Sequence, residues 1–247
     1  MPVGLAIRLF FAACNQTLRG GGLVLACAAF AAAGQLASAQ QAPPPPSGPP
    51  ARFVVVLDAA HGGDDTGGRL NSGQPEKAFT LAMTVRLRSL LSARGIQVVT
   101  TRDSDAAVEP NRRAEIANHA SAQACLSLHA SESGSGIHLF ASSLAPAQPA
   151  RFPAWKTAQA AWVTRSLALE GVLNSALLHA GMSVTLGRTT LAALDSMTCP
   201  AIAIEIAPER GSSQAIATEL DDPDFQARVA GALAAALLQW RTEARQP

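Results

Sequence analysis

Residues 53–61 read Phe-Val-Val-Val-Leu-Asp-Ala-Ala-His, and this stretch is the clearest indication of the fold class. Its first five residues form a continuous apolar run, which has the length of a β-strand buried on both faces. Strands of this kind occur in parallel sheets that are covered by helices on each side. The run ends in Asp58, and His61 follows three residues later, so polar side chains come directly after the strand.

Further strands alternate with helices along the chain outward from this stretch. Apolar runs predict strands at residues 96–100, 124–128, 136–141 and 201–206. Helical spacing of apolar residues predicts helices at 76–93, 111–120, 155–180 with a break at Gly171, and 224–241, whereas 191–194 has no clear assignment. The alternation predicts an α/β fold, with a single domain whose twisted, mostly parallel sheet is flanked by helices on both faces.

The first 39 residues have the features of a secretory signal peptide. They contain no acidic residue, carry Arg8 and Arg19, and continue with a Gly- and Ala-rich apolar run that ends in Ala37-Ser-Ala39. The apolar run is weak for a membrane span, which needs about 20 apolar residues, so an uncleaved anchor is the less favoured alternative. We expect a protein exported to the periplasm or cell envelope, with no transmembrane span in its mature form.

A proline-rich linker is predicted at residues 40–51. It contains six prolines, which prevent a helix or a central strand and favour an extended, semi-rigid chain. The folded domain is therefore predicted to span residues 52–247. Cleavage after Ala39 would leave 17 basic and 18 acidic residues, a net charge of −1 compared with +1 for the whole chain.

The composition excludes several classes of function. A chain so close to neutrality lacks the positive charge that binding a row of phosphates requires, which argues against a nucleic-acid partner. Hydrophobic residues make up 48%, which argues against a disordered chain. Aromatic residues make up only 4% and tyrosine is absent, so stacking on bases or sugar rings is not expected.

Two cysteines, Cys125 and Cys199, remain after removal of the predicted signal peptide. No Cys-x-x-Cys spacing is present, so a cysteine zinc site or a thioredoxin-type pair is not supported. In an exported protein the two cysteines could form a disulfide. Because both precede predicted strands, two buried free thiols are the alternative.

Candidate catalytic side chains stand where predicted strands end. His61 follows the first strand, His129 follows the third, and Glu205 lies near the end of the strand at 201–206. Open α/β sheets bind their ligands at the carboxyl ends of the strands, so these residues are expected at one rim. A catalytic zinc has three protein ligands, and Glu76 at the start of a predicted helix is the candidate third ligand. Alternatively, the carboxylate of Glu76 only stabilises the N-terminus of the helix.

Six motifs occur in an order that resembles a known family. They read Asp58-Ala-Ala-His-Gly-Gly, Glu76-Lys, Thr101-Arg-Asp, Arg113-Ala-Glu-Ile-Ala-Asn, Leu126-Ser-Leu-His-Ala-Ser and Pro200-Ala-Ile-Ala-Ile-Glu. The series is similar to the zinc-dependent N-acetylmuramoyl-L-alanine amidase family (the amidase type-3 catalytic domain) over roughly residues 53–240. Each motif alone is weak, but six in order make the resemblance specific.

The resemblance implies a site and a reaction. His61, Glu76 and His129 would bind one Zn²⁺, and Glu205 matches the catalytic glutamate of the family. Zinc polarises a carbonyl and acidifies water, and the glutamate would pass a proton from that water to the departing amine. The implied substrate is peptidoglycan, cut at the amide between N-acetylmuramic acid and L-alanine. No wall-binding repeat is visible, so targeting would come from the catalytic domain or from a partner such as a protein activator.

The chain also departs from the family pattern beside the candidate site. Ala59-Ala60 replace a Pro-Gly pair, Ala130-Ser131 replace Ala-Asn, and Ile206-Ala-Pro-Glu-Arg replaces a segment that begins with Gly-Phe. Two alternatives therefore stay open: a catalytically weakened wall-binding module of the same fold, and a zinc hydrolase of another peptide amide.

Other polar residues are expected to have structural roles. Arg102 and Asp103 are predicted to fix a loop, and Arg113 is predicted to make structural polar contacts. His138 lies inside a predicted strand, where it faces either the cleft or solvent.

Overall fold

The computed structural model describes residues 52–149, 154–211, 213 and 215–244, so the predicted signal peptide at 1–39 and linker at 40–51 lie outside the described residues. In the described part, six strands form one sheet: β1 (Val54–Ala59), β2 (Gln97–Thr100), β3 (Ala124–Ala130), β4 (Ile137–Ser142), β5 (Val184–Thr189) and β6 (Ala201–Ile206). Their order across the sheet is β2-β1-β3-β6-β4-β5. Every neighbouring pair is parallel except β4 and β6, which confirms the mostly parallel sheet.

Helices and one small hairpin complete the described part of the fold. The α-helices are α1 (Glu76–Ser92), α2 (Pro110–His119), α3 (Val163–His179), α4 (Ala192–Asp195) and α5 (Pro223–Glu243), a 3₁₀ helix spans Trp155–Ala161, and β7 (Glu209–Arg210) pairs with β8 (Ile216–Thr218). Helix α5 begins with a side-chain cap, because the Asp222 carboxylate accepts hydrogen bonds from the backbone N–H groups of Asp224 and Phe225. None of the described helices has the length and hydropathy that crossing a bilayer requires.

The two faces of the sheet bury different cores. Side chains alternate along a strand, so Val55 and Leu57 of β1 lie in a large core together with residues of α1, α3 and α5. Val54 and Val56 point the other way and lie in a smaller core with residues of α2 and α4. This arrangement confirms the predicted α/β domain with helices on both faces of its sheet.

Three details of the predicted element list were wrong or incomplete. The helical region breaks at Trp162, between the 3₁₀ helix and α3, and not at Gly171. Gly171 lies inside α3, where a glycine costs only about 1 kcal/mol relative to alanine, too little to end a packed helix. Strand β5 was not predicted, because its sequence Val-Thr-Leu-Gly-Arg-Thr contains no continuous apolar run. The unassigned residues 191–194 lead into the short helix α4.

A disulfide joins Cys125 and Cys199 and thereby decides between the two alternatives left by the sequence. The sulfur atoms are 2.06 Å apart and the two residues are separated by 74 positions in the chain. Cys125 lies near the start of β3, and Cys199 precedes β6, which is the neighbouring strand. The bond therefore fastens the two central strands at the ends opposite to His129 and Glu205.

Replacing both cysteines, with Cys125→Ala and Cys199→Ala, is expected to lower the free energy of unfolding by about 2–5 kcal/mol, because the unfolded chain regains the freedom of a long loop. Urea unfolding followed by circular dichroism measures the change. Reduction of the wild-type protein should reproduce it. An unfolding midpoint that neither the double substitution nor reduction moves would contradict the stabilising role.

Candidate active site

The carboxylate of Asp58, near the end of β1, is buried and fully engaged. It accepts hydrogen bonds from Thr101 Oγ1 at 2.6 Å, from Ser127 Oγ at 2.7 Å and from Arg113 Nη1 at 2.6 Å. The ion pair with Arg113 is shielded from water, because the two side chains are only 3% and 8% exposed. Asp58 thus connects β1 to the neighbouring strand β3 and to helix α2.

Two arginines hold the backbone that leads from β1 to His61. Arg113 donates to the carbonyl oxygens of Ala59 at 2.6 Å and His61 at 2.7 Å. Arg102 donates to the carbonyl oxygens of Ala59 at 3.0 Å and Ala60 at 2.9 Å. The predicted structural roles of both arginines are confirmed, and their shared task is to fix the segment that carries His61.

The backbone of this segment turns sharply at His61. His61 has a φ of +61°, a left-handed conformation that is uncommon for a residue with a side chain. Gly62 follows with a φ of +133°, and a Cβ there would lie 2.2 Å from the carbonyl oxygen of Ala106. The glycine is therefore required by the close approach of the 106 loop, and the turn directs the His61 side chain toward Glu76.

His61, Glu76 and His129 come together as predicted. His61 Nε2 lies 3.1 Å from Glu76 Oε2, and His129 Nδ1 lies 3.2 Å from Glu76 Oε1. One donor atom from each residue lies within 4.8 Å of the others, so the three can bind one metal ion. Two imidazole nitrogens and one carboxylate oxygen are the donor set of many catalytic zinc centres, and the three residues fit that metal.

Glu76 is held as an anion. Burial alone would raise its pKa, but hydrogen bonds from His129 and from the backbone N–H groups of Gly68 and Ala130 outweigh burial and lower the pKa to about 2. The carboxylate is therefore ionised at neutral pH, as a metal ligand must be. Its position at the first residue of α1 also fits the helix-terminus interpretation, so the geometry is compatible with both predicted roles of Glu76.

Asp65 is a site residue that sequence reasoning missed. Its carboxylate accepts a hydrogen bond from His61 Nδ1 at 2.9 Å, which leaves Nε2 directed at Glu76 as the candidate ligand nitrogen. The same hydrogen bond lowers the pKa of Asp65. A carboxylate behind a histidine ligand is a common way to orient the ring. The only sequence signal was an acidic residue four positions after His61.

Glu205 lies beside this group on the neighbouring strand. It pairs in register with His129 of β3 on one side and with His138 of β4 on the other. By strand alternation the three side chains share the face of the sheet that carries α2 and α4. The nearest ionic neighbour of Glu205 is His138, whose Nδ1 lies 3.8 Å from Glu205 Oε1.

A cavity of about 180 Å³ opens beside two of the candidate ligands, His61 and His129. His61, His129 and Arg113 line its polar side, and Val108 and Leu191 are among the residues of its apolar side. A larger cavity of about 570 Å³ lies elsewhere, on the outer face of α1, and contains none of the candidate ligands. The smaller cavity is the one that can present a substrate to the site.

Comparison with known proteins identifies the family. The family model described as N-acetylmuramoyl-L-alanine amidase matches residues 55–239, well over half of the chain. The chain belongs to the N-acetylmuramoyl-L-alanine amidase family. Because that match includes His61, Glu76, His129 and Glu205, the candidate site lies wholly within the family domain.

Individual members of the family are similar in sequence or in fold. The chain is 34% identical over 147 residues to N-acetylmuramoyl-L-alanine amidase Rv3717 of Mycobacterium tuberculosis. This match covers 57% of the present chain and 59% of that relative. The catalytic domain of CwlV from Bacillus (Paenibacillus) polymyxa is 26% identical, with a TM-score of 0.60, and the match covers 77% of this chain and 98% of that domain. The CwlD amidase of Clostridioides difficile, solved in complex with the GerS lipoprotein, shares the fold at 20% identity and a TM-score of 0.58, with 77% of this chain and 99% of that chain covered.

Arg113→Met is expected to lower the free energy of unfolding by about 3–5 kcal/mol, because it leaves the Asp58 carboxylate buried without its cation. The matched control is Arg112→Met on the same helix. Arg112 is 63% exposed and pairs only with Glu115 within the described contacts, so its loss should cost about 0–1 kcal/mol. Chemical denaturation of both variants measures the difference. Equal effects of the two substitutions would contradict the role given to the buried pair.

Proposed function

We propose that this amidase-family chain is a zinc-dependent enzyme that hydrolyses the amide between N-acetylmuramic acid and L-alanine in peptidoglycan. The observation that carries the proposal is the grouping of His61, Glu76 and His129 within 4.8 Å, with Glu205 on the adjacent strand. Family membership supports the reaction class, and the donor set supports zinc.

The residues divide the work between holding the metal and moving a proton. Zinc bound by His61, Glu76 and His129 would supply a Lewis acid that polarises the amide carbonyl. Asp65 keeps Nε2 of His61 available as a ligand, and Arg113 holds the backbone on which His61 sits.

Glu205 would act as the general base and then as the general acid. It accepts a proton from the attacking water, whose oxygen forms a bond with the amide carbon. The C–N bond then breaks, and the proton on Glu205 passes to the departing nitrogen. The products are the carboxylic acid of the lactyl group and the free amino group of L-alanine, so no covalent enzyme intermediate is needed.

The small volume of the cavity, about 180 Å³, supports recognition of small groups near the scissile bond. Its apolar side, which includes Val108 and Leu191, suits the methyl groups of alanine and of the lactyl moiety. The chain contains no tyrosine and few aromatic residues, so the glycan is not expected to be held by stacking. Recognition through the peptide side of the bond is the arrangement that this composition favours.

Glu205→Gln is expected to reduce stem-peptide release from purified muropeptides by about 10²–10⁴-fold, because the general base is lost. Zinc content, measured by atomic emission, should stay near that of the wild-type protein, whereas His129→Ala should lose zinc. Glu209→Gln is the control, since Glu209 lies four residues on in the β7–β8 hairpin and should keep its activity.

Other outcomes of the same assay favour the alternatives. A wild-type protein that binds zinc and sediments with cell walls, but releases no stem peptide, would be a binding module. Faster cleavage of purely peptidic amides than of muropeptides would identify a hydrolase of another substrate.

Export by the N-terminal segment is part of the proposal. We expect mature protein recovered from the cell envelope to begin at Gln40, because signal peptidase requires small residues at positions 37 and 39. Replacing both with leucine should leave the precursor uncleaved, whereas Ala42→Leu in the linker should not. Intact-mass measurement distinguishes the two forms, and a mature N-terminus elsewhere would contradict the predicted boundary.

A protein activator also belongs to the proposal. The fold similarity to CwlD, whose structure contains a lipoprotein partner, is the observation that favours it.

A further inference from the structure

His138 occupies a position that the proposed reaction has not used. It stands next to Glu205 in the row His129, Glu205, His138, which crosses three neighbouring strands on one face of the sheet. Side chains directly opposite each other on paired strands have Cβ atoms about 4.5–5.5 Å apart, close enough for a long side chain to contact its neighbour. Glu205 therefore lies between a candidate metal ligand and a second histidine.

The imidazole of His138 is held in one orientation by the loop before β4. Its Nε2 donates a hydrogen bond to the carbonyl oxygen of Ser135 at 3.2 Å. Gly134, with a φ of +86°, lies close to the ring, and a Cβ there would be 2.8 Å from Cε1 of His138. A side chain at position 134 would thus displace the ring or the loop.

Arg210 in turn holds that loop. Its Nε donates to the carbonyl oxygen of Gly134 at 2.8 Å, and its Nη2 donates to the carbonyl oxygen of Glu132 at 2.9 Å. Its backbone N–H donates to Ser135 Oγ at 3.1 Å. Arg210 belongs to the segment after Glu205 in which this chain departs from the family pattern, so the altered segment braces the His138 ring.

These contacts decide which nitrogen of His138 faces Glu205. A carbonyl oxygen only accepts hydrogen bonds, so His138 Nε2 donates to Ser135. Nδ1 then points toward Glu205 Oε1 at 3.8 Å. This separation is longer than a hydrogen bond, so the two side chains are in polar contact.

The charged groups around this pair are few among the described contacts. On β5, the residue in register with His138 is the uncharged Thr185, and Phe140 is the ring neighbour on β4 itself. Arg210 on β7 donates to loop carbonyl groups beside the ring, and the Glu132 carboxylate accepts a hydrogen bond from the backbone N–H of Asn71. The His138 and Glu205 side chains are 19% and 34% exposed, so the pair borders the cleft.

We propose that His138 is a positioning residue for Glu205: its braced imidazole, 3.8 Å from the carboxylate, orients that carboxylate toward the substrate. The inference rests on the proposed function, because it assigns His138 a part in the work of the same glutamate.

A double-mutant cycle on the zinc-loaded enzyme tests the assignment. His138→Ala is expected to lower kcat about 10- to 100-fold, the range typical of partners that orient a reacting group, with KM changed less than about twofold. The pH profile of kcat should also change. In the Glu205→Gln background the same substitution should have no further effect, because His138 acts through Glu205. Additive losses, or a kcat and pH profile equal to those of the wild type, would overturn the proposal.

Glycine variants test the bracing of the ring separately from its chemistry. Gly134→Ala should lower kcat, as His138→Ala does, while its zinc content stays equal to that of the wild-type protein. Gly171→Ala is the matched control, because a Cβ at that helical position meets no atom within 4 Å. Equal activity of the two glycine variants would contradict the bracing.

A nuclear magnetic resonance measurement without substrate separates this inference from the proposed function. In ¹⁵N-labelled protein, Glu205→Gln should move the His138 Nδ1 signal and leave the signals of the exposed His179 unchanged. An unmoved Nδ1 signal would refute the pairing even if amidase activity is present. A moved signal in a protein that releases no stem peptide would support the pairing and refute the proposed reaction.

Discussion

The buried ion pair between Asp58 and Arg113 is the interaction on which the rest of the site depends. Burying two charges is costly unless additional hydrogen bonds accompany the pair, and here each side chain has several. Asp58 has three donors around its carboxylate, and Arg113 uses its remaining N–H groups on backbone carbonyl oxygens. The pair therefore fastens α2 to the end of β1 and sets the backbone that presents His61.

The second constraint is the change of strand direction between β6 and β4. Parallel strands β1, β3 and β6 bring their carboxyl ends to one rim, where His129 and Glu205 lie in register. Strand β4 runs the opposite way, so its beginning, and with it His138, meets the end of β6. A single row of side chains thus extends from the candidate metal group through Glu205 to His138. The loop before β4 and Arg210 after β6 hold the outer end of the row.

Much of the fold was predictable because its central strands are buried on both faces and so consist of continuous apolar runs. The same condition made the ends of those strands easy to locate, and His61, His129 and Glu205 with them. Strand β5 was missed because its residues, Val-Thr-Leu-Gly-Arg-Thr, include no such run. The break at Trp162 was missed because packing, more than a single glycine, determines where a helix ends. Asp65 was missed because its contact with His61 depends on a loop whose path no periodicity describes.

The sequence by itself determined the α/β class, the candidate ligands His61, Glu76 and His129, and the likeness to the amidase family, because these depend on residue types at local positions along the chain. Only the tertiary structure decided that Cys125 bonds to Cys199 and that His138 faces Glu205. Both depend on which strands become neighbours and in what direction they run. Pairing of this kind is a property of the whole sheet, set by how all six strands and their helices pack together, so no single stretch of sequence contains it.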